Sequence, residues 1–401
     1  MTEVLSPCFS DCDSVSGLLD KEINANKNKQ SKLDILNQVV QTFRLPKPRN
    51  YSSLGSCPNL ARLSSKTLLL KENIVAAQQN NNDKLLNINT PFGTVRIYKT
   101  GNPQGPHLVT IHDIGLNGFS NFHPFWESDD SYGIVSKFCV INLSLPGQEA
   151  GADNLAVHFS YPSMEELATM IEIVLDQLQV KHCVMMGVGL GGYLTLSIAT
   201  KTPKLVDGVI LVNANCSSSS WTEWACHKVN MAALRRATSV PDSVIDYLIW
   251  HHFGAGSKDR NSENFGLVSL YRQHLATELK PSNLFLLIQS YVNRKELNIS
   301  SIRIPILNIV GENSPHVDAT ININMKVEKK YSTWMKISNA GMVLEEQPAK
   351  VSEAISYFLQ GLGYTLKVLR SRSSTARPNK LDLKGSLCMI SIEYKKQCFR
   401  I

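Results

Sequence analysis

Hydrophobic and polar positions in this chain follow two rhythms, one of period two and one of period 3.6, and their order predicts the elements. TPFGTVRIYKT (90–100) alternates like an edge strand, whereas HLVTIHD (107–113) and FCVINLS (138–144) are continuous apolar runs typical of strands covered on both faces. After FCVINLS, Met164, Leu167, Met170, Ile171, Val174, Leu175 and Leu178 fall on one helical stripe, and Ser163 with Glu166 forms a capping box. A helix between two buried strands implies a crossover and parallel pairing. The pattern continues with a helix from Gly192 to Thr200, a strand in VDGVILVNAN (206–215), two more at 304–311 and 332–338, and a closing amphipathic helix in PAKVSEAISYFLQGLG (348–363). The prediction is an α/β domain with a doubly wound, mostly parallel sheet.

Residues 182–192, HCVMMGVGLGG, refine that prediction to an α/β-hydrolase fold, because they form the strand-turn-helix entrance of a nucleophile elbow, G-x-S-x-G, with glycine at its centre. Gly187, Gly189 and Gly191 hold the three defining positions. The elbow strains its central residue so that a hydroxyl stands above the sheet; glycine takes that backbone freely and presents nothing. An acid and then a histidine should follow in hydrolase order. IPILNIVGENSP (304–315) is the strand expected to deliver the acid, and Ser314 stands in its place, with Glu312 and Asp318 nearby. STWMKISNAGMV (332–343) is the loop expected to carry the histidine, and Met342 stands there; no histidine occurs after His316. A methionine has no titratable nitrogen to act as a base. These three vacancies in register predict an inherited scaffold without the reaction, whose vestigial pocket would comprise His112, Asp113, Gly115, Gly189 and His316.

The strand-helix alternation stops between 216 and 300. WTEWACHKVNMAALRRA, SVIDYLIWHHF, SLYRQHLATEL and NLFLLIQSYVNR each read as a helix, at the place where α/β-hydrolases insert a cap. The core is therefore expected in two parts, 86–217 and 301–363, around a helical cap at 218–300. Trp221, Trp224, Trp250, Tyr271 and Tyr291 either line a groove beneath the cap or form its core; helical spacing fits both.

Composition changes at the two ends. Residues 1–85, with KEINANKNKQ and QQNNND, offer little apolar surface to bury and predict a mostly disordered extension. Within it, LDILNQVVQTF (33–43) places Leu33, Leu36, Val40 and Phe43 on one helical face, for docking or as a transient helix. Residues 364–401 hold nine Lys/Arg and two Asp/Glu, so the whole formal charge of +7 resides in this tail. Such a tail is either simply solvated or a contact for acidic partners, anionic lipid or RNA, and no specific nucleic-acid motif accompanies it. The nine cysteines show neither a C-x-x-C pair nor a Cys/His zinc spacing, so reduced cytosolic thiols are expected, with no metal and no cofactor. Neither an N-terminal apolar h-region nor a transmembrane-length apolar run is present, which predicts a cytoplasmic protein. Cys398-Phe399-Arg400-Ile401 has the length of a prenylation box, but Arg400 stands where an aliphatic residue is needed.

TPFGTVRIYKTG, IHDIGLN, LPGQEAGA, FSYPSMEELATMI, GVGLGG, WTEWACHK, VGENSPHVDA and YFLQGLGY, in this order, resemble the N-myc downstream-regulated (NDRG) family over about residues 88–364. That resemblance implies a cytoplasmic α/β-hydrolase-fold pseudoenzyme, acting through protein partners in differentiation, stress signalling and vesicle trafficking. It also implies a phosphorylated C-terminal tail. Here Arg370 and Arg372 stand five and three residues before Thr375, making Ser373, Ser374 and Thr375 the candidate acceptors. The long polar N-terminus and the ending MISIEYKKQCFRI depart from the family pattern.

Two other classes compete with this reading. Gly187, Gly189 and Gly192 also satisfy G-x-G-x-x-G, the mark of a dinucleotide-binding oxidoreductase, but the next strand ends Asn213-Ala214-Asn215 without the acid that holds the ribose, and its one acid, Asp207, lies at the wrong end. Alternatively, a hydrolase with a non-standard site would use His112 and Asp113, with His316. Against it, adjacent residues point in different directions and the elbow has no nucleophile to activate; the simpler role is that His112 and Asp113 hold the Gly115–Asn117 loop while His316 caps a helix.

Overall fold

The continuous apolar runs become the inner strands of one eight-stranded sheet. The computed structural model describes residues 85–254 and 262–365. Its strands and longer helices are β1 (Leu85–Thr90), β2 (Gly93–Gly101), β3 (His107–Ile111), β4 (Cys139–Ser144), α1 (Met164–Gln177), β5 (Cys183–Val188), α2 (Leu190–Lys201), β6 (Val206–Val212), α3 (Trp221–Leu234), α4 (Asp242–Phe253), α5 (Ser262–Thr277), α6 (Pro281–Val292), β7 (Ile306–Gly311), α7 (Val317–Lys326), β8 (Ser332–Ile337) and α8 (Pro348–Gly361). The strand order is β1-β2-β4-β3-β5-β6-β7-β8. The β1–β2 and β2–β4 pairs are antiparallel, and all the others are parallel.

Both faces of the inner strands are buried, which is why their sequences lack alternation. Val109, Ile141, Met185 and Val209 pack on one side with Leu167, Ile171 and Val174 of α1 and Leu194 of α2. Leu108, Val140, Val184 and Ile210 pack on the other side with Val351, Ile355 and Leu359 of α8. The α1 stripe starts at the capping box, where Ser163 and Glu166 satisfy each other's backbone N–H. One strand assignment needs correction. The segment 90–100 does not form the edge; β1 pairs outside it through a tight turn in which Thr90 Oγ1 donates to Gly93 O at 2.7 Å. The six residues of β1 adjoin the polar QQNNND run, which hid their alternation.

The readings of LDILNQVVQTF, the basic tail with Ser373, Ser374 and Thr375, and Cys398 lie outside the described residues. Among the described residues, no helix is long and apolar enough to cross a membrane.

The four helices α3–α6 stand between β6 and β7 and are tied down by a buried arginine. Arg294, just after α6, donates from Nη2 to both oxygens of Glu223 on α3, each at 2.8 Å. Its Nε reaches Ser217 O at 2.8 Å, its Nη1 reaches Ser219 Oγ at 2.8 Å, and its guanidinium lies 3.9 Å over the Tyr291 ring. A buried charge so fully partnered fixes geometry, because removing either partner leaves the other uncompensated. Tyr271 and Tyr291 belong to this packed interior, while Trp221 is exposed and stacks on Trp224 at 5.0 Å.

Backbones approach closest at the elbow. A Cβ on Gly191 would stand 2.0 Å from Ile111 O, and one on Gly192 would stand 2.4 Å from the Cβ of Ala214. Gly191→Ala is therefore expected to cost at least about 2 kcal/mol, since neither backbone can retreat. Gly361→Ala, with nothing within 4 Å of the new methyl, should be neutral or slightly stabilising. Urea denaturation of both variants checks the pair.

The cap anchor carries its own pH signature. Burial raises the Glu223 pKa, but His227 and Arg294 outweigh it and bring the carboxyl down to about 2. A depressed acid stabilises the fold above its unfolded pKa and loses that contribution as the pH falls toward the folded one. The stability gap between the native chain and Glu223→Gln should therefore narrow steadily from about pH 4.5 to 2, as followed by urea midpoints across that range.

Candidate functional site

The chain leaves β5 at Val188, turns at Gly189 with φ 49° and ψ −112°, and enters α2 at Leu190. Gly189 N donates to Val212 O at 2.9 Å, which ties the turn to β6. β3 and β5 are neighbours whose connections lead to opposite sides of the sheet, so their C-terminal ends border the switch point where α/β folds place their sites.

That place is filled from within. A Cβ on Gly189 would fall 2.1 Å from Asp113 Oδ2, so the Asp113 carboxylate stands where a nucleophile's side chain would project. Asp113 Oδ1 accepts hydrogen bonds from Ile114 N at 2.8 Å and Leu190 N at 2.9 Å. Asp113 Oδ2 accepts from His251 Nε2 at 2.9 Å, and Asp113 N donates to Asn121 Oδ1 at 3.0 Å. The charge sits at the N-terminus of α2, where unpaired amides and the helix dipole favour an anion. Burial pushes the Asp113 pKa up, but the attraction and hydrogen bond of His251, followed by His252 and the Leu190 amide, hold it well below the usual carboxylate range. Burial likewise disfavours a charged His251, yet Asp113 wins and the pKa of His251 lies above the ordinary histidine value. The two form a buried ion pair.

The other expected pocket residues take distinct places. His112 Nδ1 donates to Asp113 O at 2.8 Å, and its Nε2 accepts from Leu145 N at 3.1 Å. Both ring nitrogens are thus engaged with backbone, and burial lowers the pKa to about 4. This is a loop-holding histidine. Gly115 turns with φ 75° and lies against Leu248 and Leu275 of the cap. His316 occupies the N-cap position of α7, but its side chain makes no cap hydrogen bond. Instead of the expected cap, the ring makes an edge-to-face contact with His251 at 4.7 Å. Burial first, and then His251, depress the His316 pKa to about 3.

Of the positions read from the sequence as triad sites, Met342 lines a small cavity beside Asp113 and Ser314 does not. Met342 lines a cavity of about 10 Å³ together with Asp113, Asn121, Asn213, His251 and His252. Ser314 is buried and its Oγ accepts from His316 N at 3.2 Å. The loops around both are fastened by Asn213, which donates to Gly341 O at 2.8 Å and accepts from Gly311 N at 3.1 Å. None of the five cap aromatics lines the cavity.

His251 and His252 escaped the sequence reading. They close α4, 138 residues from Asp113 in the case of His251, so no local spacing joined them. Two adjacent histidines in the last turn of a cap helix were the available signal. His252 Nε2 donates to Ile114 O at 3.0 Å. Burial outweighs the attraction of Asp113 and lowers its pKa to about 4. For a dinucleotide, the pyrophosphate would have to take the α2 N-terminus that the Asp113 carboxylate already holds.

The contact between Gly189 and Asp113 makes a direct test. Gly189→Ser should cost at least about 3 kcal/mol, through both the left-handed backbone and the collision with Oδ2. In an Asp113→Ala background the same serine should cost less than about half of that. A double-mutant cycle from urea denaturation measures the coupling; strict additivity would contradict the geometry.

Similarity to known proteins agrees with this architecture. The solved hydrolase from Pseudomonas aeruginosa PA01 superposes with a TM-score of 0.57 over 70% of this chain and 99% of that one, at 18% identity. A thermophilic esterase from Thermogutta terrifontis gives 0.57 over 69% and 98%, at 19% identity. The fold is that of the α/β-hydrolases, with a helical cap. Among sequence relatives, protein NDRG3 of Xenopus tropicalis is 35% identical over 303 residues, covering 72% of this chain and 76% of that protein. Protein NDRG2 of Homo sapiens is 32% identical over 308 residues, covering 75% and 80%. The Ndr family profile matches residues 86–366, the sheet and its cap together, and the chain belongs to the Ndr family.

Proposed function

We propose that the chain is a non-catalytic adaptor or regulatory protein on an α/β-hydrolase scaffold. The observation that carries this reading is the seat of Asp113. Ile114 N and Leu190 N stand at the positions whose amides stabilise the oxyanion in acyl transfer, and both donate to Asp113 Oδ1. A substrate carbonyl arriving there would meet a negative charge instead of free donors. Gly189, Ser314 and Met342 support the same reading, since Gly189 offers no nucleophile, Ser314 no orienting carboxylate and Met342 no base.

Without chemistry at the elbow, the work falls to surfaces. Protein partners in the cytoplasm, in differentiation, stress signalling or vesicle trafficking, are the setting that the family suggests. The basic tail 364–401 is the proposed contact for anionic lipid, with Ser373, Ser374 and Thr375 as regulatory acceptors. Each phosphate adds about two negative charges to a segment that carries the chain's formal +7.

Purified protein is expected to hydrolyse p-nitrophenyl esters, thioesters and epoxides no faster than buffer does. Gly189→Ser should introduce no activity, because the Asp113 carboxylate takes both amides and pairs with His251, leaving neither an oxyanion site nor a free base. Turnover above background that disappears in Asp113→Asn would overturn the reading.

A further inference from the structure

Asp113 presents one oxygen to more than a single histidine. Asp113, His251 and His252 each bring one potential ligand atom into a group whose members lie within 4.8 Å of one another, and all three residues are buried. Oδ2 is 2.9 Å from His251 Nε2 and 3.6 Å from His252 Nδ1. A tetrahedral ion with bonds of about 2.0–2.1 Å sets its ligand atoms about 3.3 Å apart, so these two separations bracket the required edge.

The surrounding groups orient the donors as metal sites do. Asp113 Oδ1 is committed to two backbone amides, which leaves Oδ2 to face the histidines. His252 Nε2 donates to the Ile114 carbonyl, which fixes the ring with Nδ1 turned toward Oδ2. A backbone partner on the far nitrogen is the usual second contact of a ligating imidazole. Beside the three donors lies the cavity of about 10 Å³, also lined by Asn121. Asn121 Nδ2 is buried without a hydrogen-bond partner among the described residues. A space of this size holds about one water and no substrate.

The geometry points to a binding site for a divalent transition-metal ion of the zinc type, held by Asp113, His251 and His252, with one water completing the coordination. Two imidazoles and a carboxylate suit zinc or cobalt, whereas calcium and magnesium take oxygen ligands. The ion replaces the Nε2 proton of His251, which passes to the buffer. It joins the loop after β3 to the last turn of α4, so it clamps the cap to the core. The donors come from distant parts of the chain, which is why the sequence held no ligand spacing. This inference goes beyond the non-catalytic reading, and its readout is metal content, so either can fail without the other.

The test uses the full chain, stripped with a chelator and titrated with Zn²⁺ by calorimetry and with Co²⁺ by visible absorption. The expected result is about one ion bound per chain, a tetrahedral Co²⁺ spectrum without a thiolate charge-transfer band, and a raised thermal midpoint. His252→Gln keeps an amide donor for Ile114 O while removing the Nδ1 ligand, and should lose at least about tenfold in affinity with unchanged circular dichroism. Equal binding by His252→Gln, a thiolate band in the native chain, or no uptake of either ion overturns the site. Should His252→Gln fail to fold, the ligand-field spectrum of the native chain decides.

Discussion

A carboxylate buried at a helix N-terminus organises this molecule. Removed from water, Asp113 is tolerable only because opposite charge and hydrogen-bond donors converge on it: the Ile114 and Leu190 amides on one oxygen, the His251 imidazolium on the other. Each partner belongs to a different element. Leu190 opens α2, Ile114 lies in the loop after β3, and His251 lies in the last turn of the cap helix α4. One ion therefore holds the elbow, the loop and the cap in mutual register. The cost of stranding it falls on any change that moves one of the three.

The elbow glycines follow from the same constraint. Residue 189 must turn with positive φ beside a carboxylate that leaves no room for a Cβ, and Gly191 must pass close to the Ile111 carbonyl. Glycine at 189 is thus set by its surroundings: the space that a side chain would take is used by Asp113. His112, which sequence alone offered as a substitute base, spends both nitrogens on backbone groups and keeps the Asp113 loop in shape. The cap is anchored independently at its other end by the Arg294–Glu223 pair. Its helices are therefore fixed to the core at two charged points, one at the elbow and one beside the exit of β6.

Much of the fold was legible in the sequence because its signals are local. Continuous apolar runs reported strands buried on both faces, the stripe on α1 and its capping box reported a crossover helix, and the glycine spacing reported the turn at 189. The edge strand β1 was missed because six residues beside a polar run carry too little periodicity to register. Gly189, Ser314 and Met342 were read as triad positions from their offsets to the strands before them, and the absence of catalysis drawn from them belongs to the proposed function.

What stands beside Gly189 was decided by tertiary structure. Asp113 and His251 are 138 residues apart, and no pattern of period two or 3.6 relates them. The crossover that sets β3 beside β5, together with the return of the cap over the strand ends, brings them within a hydrogen bond. The sequence by itself determined which backbone turns form and which groups are missing, because these depend on neighbours a few residues away. Only the folded chain determined that a carboxylate fills the space at Gly189 and meets two histidines there, because burial in three dimensions sets which distant charges must meet.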